Sequence, residues 1–418
     1  GLIRVAGLKD IESLEYQTLK YDELSEKLLV RYIAHGSIWK IDSVFQLSME
    51  LYDTKTSKVL WSESWQRAWN ELASIKGNLA ENILKTLKVS TKQDITKAPT
   101  SNTEAYKYYL EAKYINDKRE NMKDIEIARG LLKKAIELDD NLIKAKSSLG
   151  WSYSETSDYD KAMEIYENSL KQAEELGDKK GIARLLGGIG AVYNKKGDYD
   201  KALDYHTRSL KIYETLGNRR GIGRSLNNIG AVYYNKSDYD KVLDFFTRSF
   251  EIYEEFGEKL EMGVILLNIG MVYYTKDDYD TALDYYERAF AIAEEIGDNT
   301  DIGRSFHSIG SVYYQKKDLD TALDYYEKSL AIKEELGDKS GMGYILHDIG
   351  NVHYDKGDED TALYYYERSL AIKEELGDKY GMGGILNNIG LVYSDKGDYD
   401  TALDYYERAF AIAEEIGD

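Results

Sequence analysis

Apolar and polar residues alternate strictly over residues 43–53, where Phe45, Leu47, Met49 and Leu51 are separated by Gln46, Ser48 and Glu50. A two-residue period predicts a strand with one buried face. Residues 31–40 before it and 58–66 after it complete an antiparallel meander that turns through 54–57. Helical spacing takes over in residues 22–29 and 71–87, the latter through Leu72, Ile75, Leu79, Ile83 and Leu87. Residues 1–89 therefore read as a small α+β domain. Four of the five tryptophans, Trp39, Trp61, Trp65 and Trp69, fall in it and read as its core.

Residues 90–102 are polar, hold the single proline, Pro99, and lack periodicity, as a linker does. Ser101, followed three residues later by Glu104, has the form of a capping box opening the next helix. From residue 103 onward the pattern is helical and it repeats. The twenty-one residues 278–298 return unchanged as 398–418, and their closing glycine recurs at Gly177, Gly217, Gly257, Gly297, Gly337, Gly377 and Gly417. That spacing of forty residues predicts a stacked array of supersecondary units. Each unit holds two helical stretches, for instance 341–356 and 360–376, joined at 357–359 as an antiparallel pair. Eight pairs are expected: 103–139 and 140–177, which diverge, then six regular ones. Glycine recurs in mid-helix at Gly150, Gly190, Gly230, Gly270, Gly310, Gly350 and Gly390, where it costs about 0.5–1 kcal/mol relative to alanine. With Ala202, Ala282, Ala322, Ala362 and Ala402 these glycines predict helices touching backbone to backbone. Asp198, Asp238, Asp278, Asp318, Asp358 and Asp398 read as N-caps of the second helices.

Leu346, Ile349, Gly350 and His353, followed by Ala362, Tyr366 and Ser369, resemble the tetratricopeptide pattern W-x2-L-G-x2-Y…A-x3-F…A. The resemblance runs over residues 103–418. It implies a mainly all-α fold, a right-handed α-α superhelix (a tetratricopeptide solenoid), beside the small N-terminal α+β domain. The forty-residue unit is six longer than the common form. It is similar to the repeats of kinesin light chains, of cell-polarity adaptors and of bacterial peptide-sensing regulators, families that bind peptides or protein segments. Upstream, His35-Gly36-Ser37, Leu51-Tyr52-Asp53 and Leu60-Trp61 resemble the TolB-like N-terminal domain of bacterial multidomain signalling proteins. The glutamate expected before Gly36 is missing, and Ser57 replaces the turn glycine. That resemblance implies an N-terminally truncated spacer or sensor module, the arm of a larger signalling protein such as a nucleotide cyclase.

By the same resemblance the first helix of each pair lines a concave groove, and its register names the candidate binding residues. Arg184, Arg224 and Arg304 share one position, and Asn228, Asn268 and Asn388 another. Asn227, His307, His347 and Asn387 run beside them, Asn351 follows, and Tyr274, Tyr314 and Tyr354 lie one turn on. The amides suit an extended peptide backbone, the arginines take carboxylates, and the tyrosines supply rigid contact area. Arg224 and Asn228 match the ligand-contacting Arg and Asn of the polarity adaptors. The expected partner is a protein or peptide, basic or mixed in charge.

Composition narrows the remaining chemistry. No cysteine is present, which removes disulfides, thiolate-ligated metals and a cysteine nucleophile. The net charge is −20, with 14 Lys+Arg against 13 Asp+Glu in residues 1–100 and 41 against 62 beyond them. An acidic array disfavours nucleic acid and anionic lipid. No apolar run is long enough to span a membrane, so a soluble, cytoplasmic chain is expected. Carboxylates recur in every unit, as capping and surface charge would, and no nucleophile–base–orienter set is visible, so neither catalysis nor a cofactor is expected. His307 and His347 share a register but lack the spacing of a metal site. The final pair ends on a verbatim copy of an internal helix, so Leu403, Tyr406 and Phe410 are expected to present a stacking face, open to truncation or self-association.

Overall fold

A computed structural model of the chain describes residues 32–41, 44–56, 58–68, 100, 102–118 and 122–416. The helices expected at 22–29 and 71–87, Trp69, the side chain of Trp39 and most of the 90–102 stretch lie outside the described residues. Three strands, β1 (Tyr32–Ile41), β2 (Val44–Asp53) and β3 (Lys58–Ala68), form an antiparallel sheet in that order. Leu51 lies opposite Ala34 on β1 and Trp61 on β3, and Leu47 opposite Ile38 and Trp65. Leu51 and Trp65 are buried, and the Trp61 and Trp65 rings lie 5.7 Å apart. Gly36 is required by this packing: a Cβ there would sit 1.9 Å from the Met49 sulfur.

Sixteen helices follow among the described residues, in eight antiparallel pairs. The first helices are α1 (Thr103–Lys118), α3 (Ile143–Glu155), α5 (Lys179–Lys195), α7 (Arg219–Asn235), α9 (Lys259–Thr275), α11 (Asn299–Gln315), α13 (Lys339–Asp355) and α15 (Lys379–Asp395). Their partners are α2 (Met122–Leu138), α4 (Tyr159–Glu175), α6 (Tyr199–Thr215), α8 (Tyr239–Phe256), α10 (Tyr279–Ile296), α12 (Leu319–Glu335), α14 (Glu359–Leu376) and α16 (Tyr399–Ile416). The chain divides into two compact units, Gly1–Glu258 and Lys259–Asp418. No helix among the described residues is long and apolar enough to cross a membrane.

Most of the turns between regular pairs are stopped and restarted by the same chemistry. Gly177, Gly217, Gly257, Gly297, Gly337 and Gly377 adopt φ between 61° and 66° after the second helices, the left-handed conformation glycine reaches at least cost. The next residue caps the following first helix: Asp178 accepts from Gly181 N at 2.9 Å, Asp338 from Gly341 N at 2.9 Å and Asp378 from Gly381 N at 3.0 Å. The expected aspartates cap the second helices, as where Asp198 accepts from Lys201 N at 3.3 Å and Asp398 from Thr401 N at 3.2 Å. At the head of α1 the cap is Asn102, one residue beyond the expected Ser101, with its side chain accepting from Glu104 N and Ala105 N. Its amide also reaches the Leu138 carbonyl, a contact in space that no local pattern encodes.

The mid-helix glycines do bring helices close, but by seating a ring rather than a second backbone. A Cβ at Gly150, Gly270, Gly310, Gly350 or Gly390 would lie 2.5–2.8 Å from the ring of Tyr166, Tyr286, Tyr326, Tyr366 or Tyr406, sixteen residues on in the partner helix. Gly230 meets Phe246 in this way, and Gly190 meets His206. Buried serines complete each lock: Ser209, Ser249, Ser329 and Ser369 donate to the carbonyls of Ala183, Gly223, Gly303 and Gly343 at 2.6–2.7 Å. The flanking alanines, among them Ala202, Ala282, Ala322 and Ala362, are buried.

Two predictions follow from the ring seats. Gly350→Ala gains helix propensity but drives a methyl into Tyr366, whose hydroxyl is held by Asn351. The net expectation is a loss of about 1–3 kcal/mol, read from the urea midpoint. His206 is 2% exposed, its Nδ1 has no partner, and burial alone pushes it down to about 4. The unfolded histidine, near 6.5, binds its proton first, so this stability is present above that value and is lost as pH falls from it toward 4. His206→Phe, the residue used at Phe246, is expected to recover about 2 kcal/mol at pH 5 relative to its effect at pH 7.5, measured by paired denaturation curves.

Candidate functional site

The candidate residues share the face along which successive first helices meet. In the C-terminal unit they are joined there by rungs offset by 41 residues, one helix reaching to the next. His307 on α11 lies 2.6 Å, Nε2 to Oδ2, from Asp348 on α13. Asn388 on α15 donates to His347 Nε2 on α13 at 2.8 Å. A parallel line of rungs is made by the tyrosines: Tyr354 donates to the Asp395 carboxylate, Tyr314 is hydrogen-bonded to Asp355, and Tyr274 to Gln315. The forty-residue period puts equivalent residues on the same face. Stacking with a one-residue slip then sets each rung residue against the one that follows its equivalent in the next repeat.

Second helices feed the same face from below. The Tyr366 hydroxyl donates to Asn351 Oδ1 at 2.7 Å, and Asn388 donates to that oxygen at 3.0 Å. Tyr326 donates to Ser311 Oγ at 3.2 Å. The His307 and His347 rings lie 5.5 and 5.7 Å from the Tyr326 and Tyr366 rings. Burial, then the negative charge of Asp355, pushes Tyr314 up to about 12. The hydrogen bond to Asp395, then burial, does the same to Tyr354. These hydroxyls stay protonated and donate at any physiological pH. Burial pushes His347 down, opposed by Asp348 and reinforced by Lys373.

Beneath the same helices two lysines are buried. Lys333 pairs with Asp338 at 2.8 Å and Lys373 with Asp378 at 2.7 Å, the latter with its ammonium 3.2 Å from the centre of the Tyr344 ring. Arg304 is committed within its own helix, donating to the buried Asp301 at 3.0 Å. It therefore differs from Arg184 and Arg224, although all three share a register. Asn268 and Asn388 are half-buried, and Asn387 is exposed.

In the N-terminal unit Arg184 on α5 and Arg224 on α7 flank the buried Tyr213 of α6. Burial raises the Tyr213 hydroxyl, while Arg224 and Arg184 pull it back. Neither arginine is paired with a carboxylate among the described residues, and the charges of both, from successive first helices, act on one hydroxyl. Asn227 and Asn228 lie half-buried on α7, one turn from Arg224. A rung with the same offset joins Asn235 to Asn194 at 2.9 Å.

Residue type and forty-residue register located this face. Asp348, Asp355 and Asp395, which accept across the rungs, and Gln315, whose amide meets Tyr274, were not singled out, because they sit one place off the register of their partners. A search for complementary pairs 41 residues apart would have found them. Among the described residues no group of three or more His, Asp or Glu is placed to hold a metal ion.

The tetratricopeptide repeat model matches residues 141–215, 181–255, 261–335 and 337–415, together more than half of the chain. Among solved structures the chain is similar to a Rap protein complexed with Competence and Sporulation Factor. The TM-score there is 0.57 and the identity 16%, over 84% of this chain and 96% of that one. It is also similar to the apo form of the quorum sensor NprR from B. thuringiensis (TM-score 0.55, 16% identity, 82% and 96% covered). A third is aspartyl phosphate phosphatase F from Bacillus subtilis (TM-score 0.53, 16% identity, 80% and 88% covered). At such identities the likeness is one of fold alone. No curated protein matches the chain. With its paired helices, glycine-seated rings and matched repeats, the chain belongs to the tetratricopeptide repeat family.

Proposed function

We propose that this protein is a non-catalytic interaction scaffold, working in the cytoplasm, whose first-helix face holds a peptide or protein segment. The observation that carries the reading is the pair Arg184 and Arg224, two unpaired guanidinium groups one repeat apart on successive first helices, whose charges both act on the Tyr213 hydroxyl. An unpaired arginine pair in a chain of net charge −20 is a place for a carboxylate of the partner, and each charge-assisted contact contributes about 1.5–3 kcal/mol. Asn227 and Asn228 in the N-terminal unit, and Asn268 in the C-terminal unit, each offer amide donors and acceptors to an extended backbone. In the C-terminal unit the rungs at His307, His347, Asn351, Asn388, Tyr274, Tyr314 and Tyr354 make a rigid, polar floor, so a ligand there would meet pre-ordered donors. The partner proposed is mixed in charge: the N-terminal unit offers Arg184 and Arg224 to acidic groups, and the C-terminal unit, taken by itself, offers Asp348 to basic ones. The Rap structure complexed with a factor supports the reading by analogy of fold. The signalling-arm reading rests only on the TolB-like resemblance of the sheet.

Self-association is the second reading, favoured by one contrast. Leu403 and Phe410 on α16 are 57% and 65% exposed, whereas Phe290, their counterpart's ring on the identical α10, lies 5.0 Å from Phe306.

Each reading has its own measurement. Arg184→Ala with Arg224→Ala is expected to weaken a peptide captured from a library by tenfold or more, and the titration should be salt-sensitive. Capture that ignores both arginines would sink the groove reading. For self-association, light scattering should show growth with concentration that Phe410→Glu abolishes; a wild-type chain that stays monomeric removes it.

A further inference from the structure

His347 is the one imidazole of the first-helix face that accepts, rather than donates, across a helix junction. Asn388 Nδ2 points one hydrogen at His347 Nε2 and the other at Asn351 Oδ1, and the Tyr366 hydroxyl also donates to Asn351 Oδ1. Every member of this chain has its donor and acceptor roles assigned by the next. The neutral imidazole carries its proton on Nδ1, which lies 3.7 Å from Asp348 Oδ1. A second proton on Nε2 would set N–H against the Asn388 NH2 group. Asn388 could restore that contact only by turning its amide, which places its oxygen against Asn351 Oδ1. Asn351 would then have to turn as well, against the hydrogen of Tyr366.

We propose that the chain His347–Asn388–Asn351–Tyr366 is a proton-operated lock between α13 and α15, closed at neutral pH and released on acidification. It regulates the binding face itself, and its bearing on partner release rests on the scaffold reading given above. The groups facing His347 are Asp348 on its own helix, which also holds His307 of α11, Lys373 and Tyr366 of α14, and the neutral Asn388 of α15. Burial and Lys373 oppose the protonated imidazole and Asp348 favours it, and burial is the largest effect. Its folded value is thus depressed, so its contribution to stability is present above the unfolded value near 6.5 and is lost as pH falls below that. Position 347 is Asn in α7 and α15, as Asn227 and Asn387. His347→Asn is therefore a substitution that the repeat already accommodates and that cannot titrate.

The test is amide hydrogen exchange of α15 in the full chain at pH 7.5 and 5.5, corrected for intrinsic rates. The wild type is expected to open at least threefold more at pH 5.5, while His347→Asn changes by less than half that. His347→Gln serves as the second neutral variant if the first is poorly folded. A pH-independent wild type overturns the lock, and so does a response that both neutral variants retain, which would assign it to His307 or His353. A peptide captured by the wild type at pH 7.5 is expected to leave it at pH 5.5. Equal retention at the two pH values removes the regulatory role. Failure to capture any peptide counts against the scaffold reading and leaves the exchange result to decide the lock.

Discussion

The array depends on one contact: an aromatic ring from the second helix laid on the bare backbone of a glycine in the first. At Gly350 the ring of Tyr366 fills the space a methyl would take, and the same arrangement recurs through the repeats at Gly150, Gly230, Gly270, Gly310 and Gly390. The glycine costs helix propensity, and the buried ring offsets that cost with a large apolar contact. The ring also sets the distance between the helices, so the buried Ser369 meets the Gly343 carbonyl and Ala362 packs without a gap. His206 shows the constraint from the other side. An imbalance appears there, because a polar ring in an apolar seat leaves Nδ1 without a partner.

Because each pair is closed by its own ring, successive pairs are free to differ on the face where first helices meet. Chemistry is concentrated on that face. In the N-terminal unit it holds Arg184 and Arg224 around Tyr213, and in the C-terminal unit His307, Asp348 and His347. The same tyrosines that would contact a ligand also tie one pair to the next, as Tyr354 does through Asp395. The outer surface is built differently. Lys236, Lys316, Lys356 and Lys396 each pair with an aspartate of the preceding second helix, Asp200, Asp280, Asp320 and Asp360, through exposed contacts that contribute little individually.

The helix pairs, their boundaries and their caps were legible because each has a local cause. Gly followed by Asp stops one helix and starts the next, and the alternation in β2 marks its sheet face. The meander β1–β2–β3 came from the same kind of signal. The role of the mid-helix glycines was only half legible: a recurring glycine says that something comes close, but not whether it is a backbone or a ring. The cap at Asn102 was displaced from Ser101 by a contact with Leu138, thirty-six residues away. Arg304 reads like Arg184 and Arg224 in register, yet its buried neighbour Asp301 holds it.

Sequence alone determined the period, the helical pairs, the candidate face and the chemistry that has no residues to carry it, since these follow from composition and from the spacing of side chains along one chain. Tertiary structure decided which polar groups on that face are spent on one another. Asp348 and Asp395 acquire their roles from a one-residue slip between stacked helices, and no periodicity within a single repeat can report the offset between two of them.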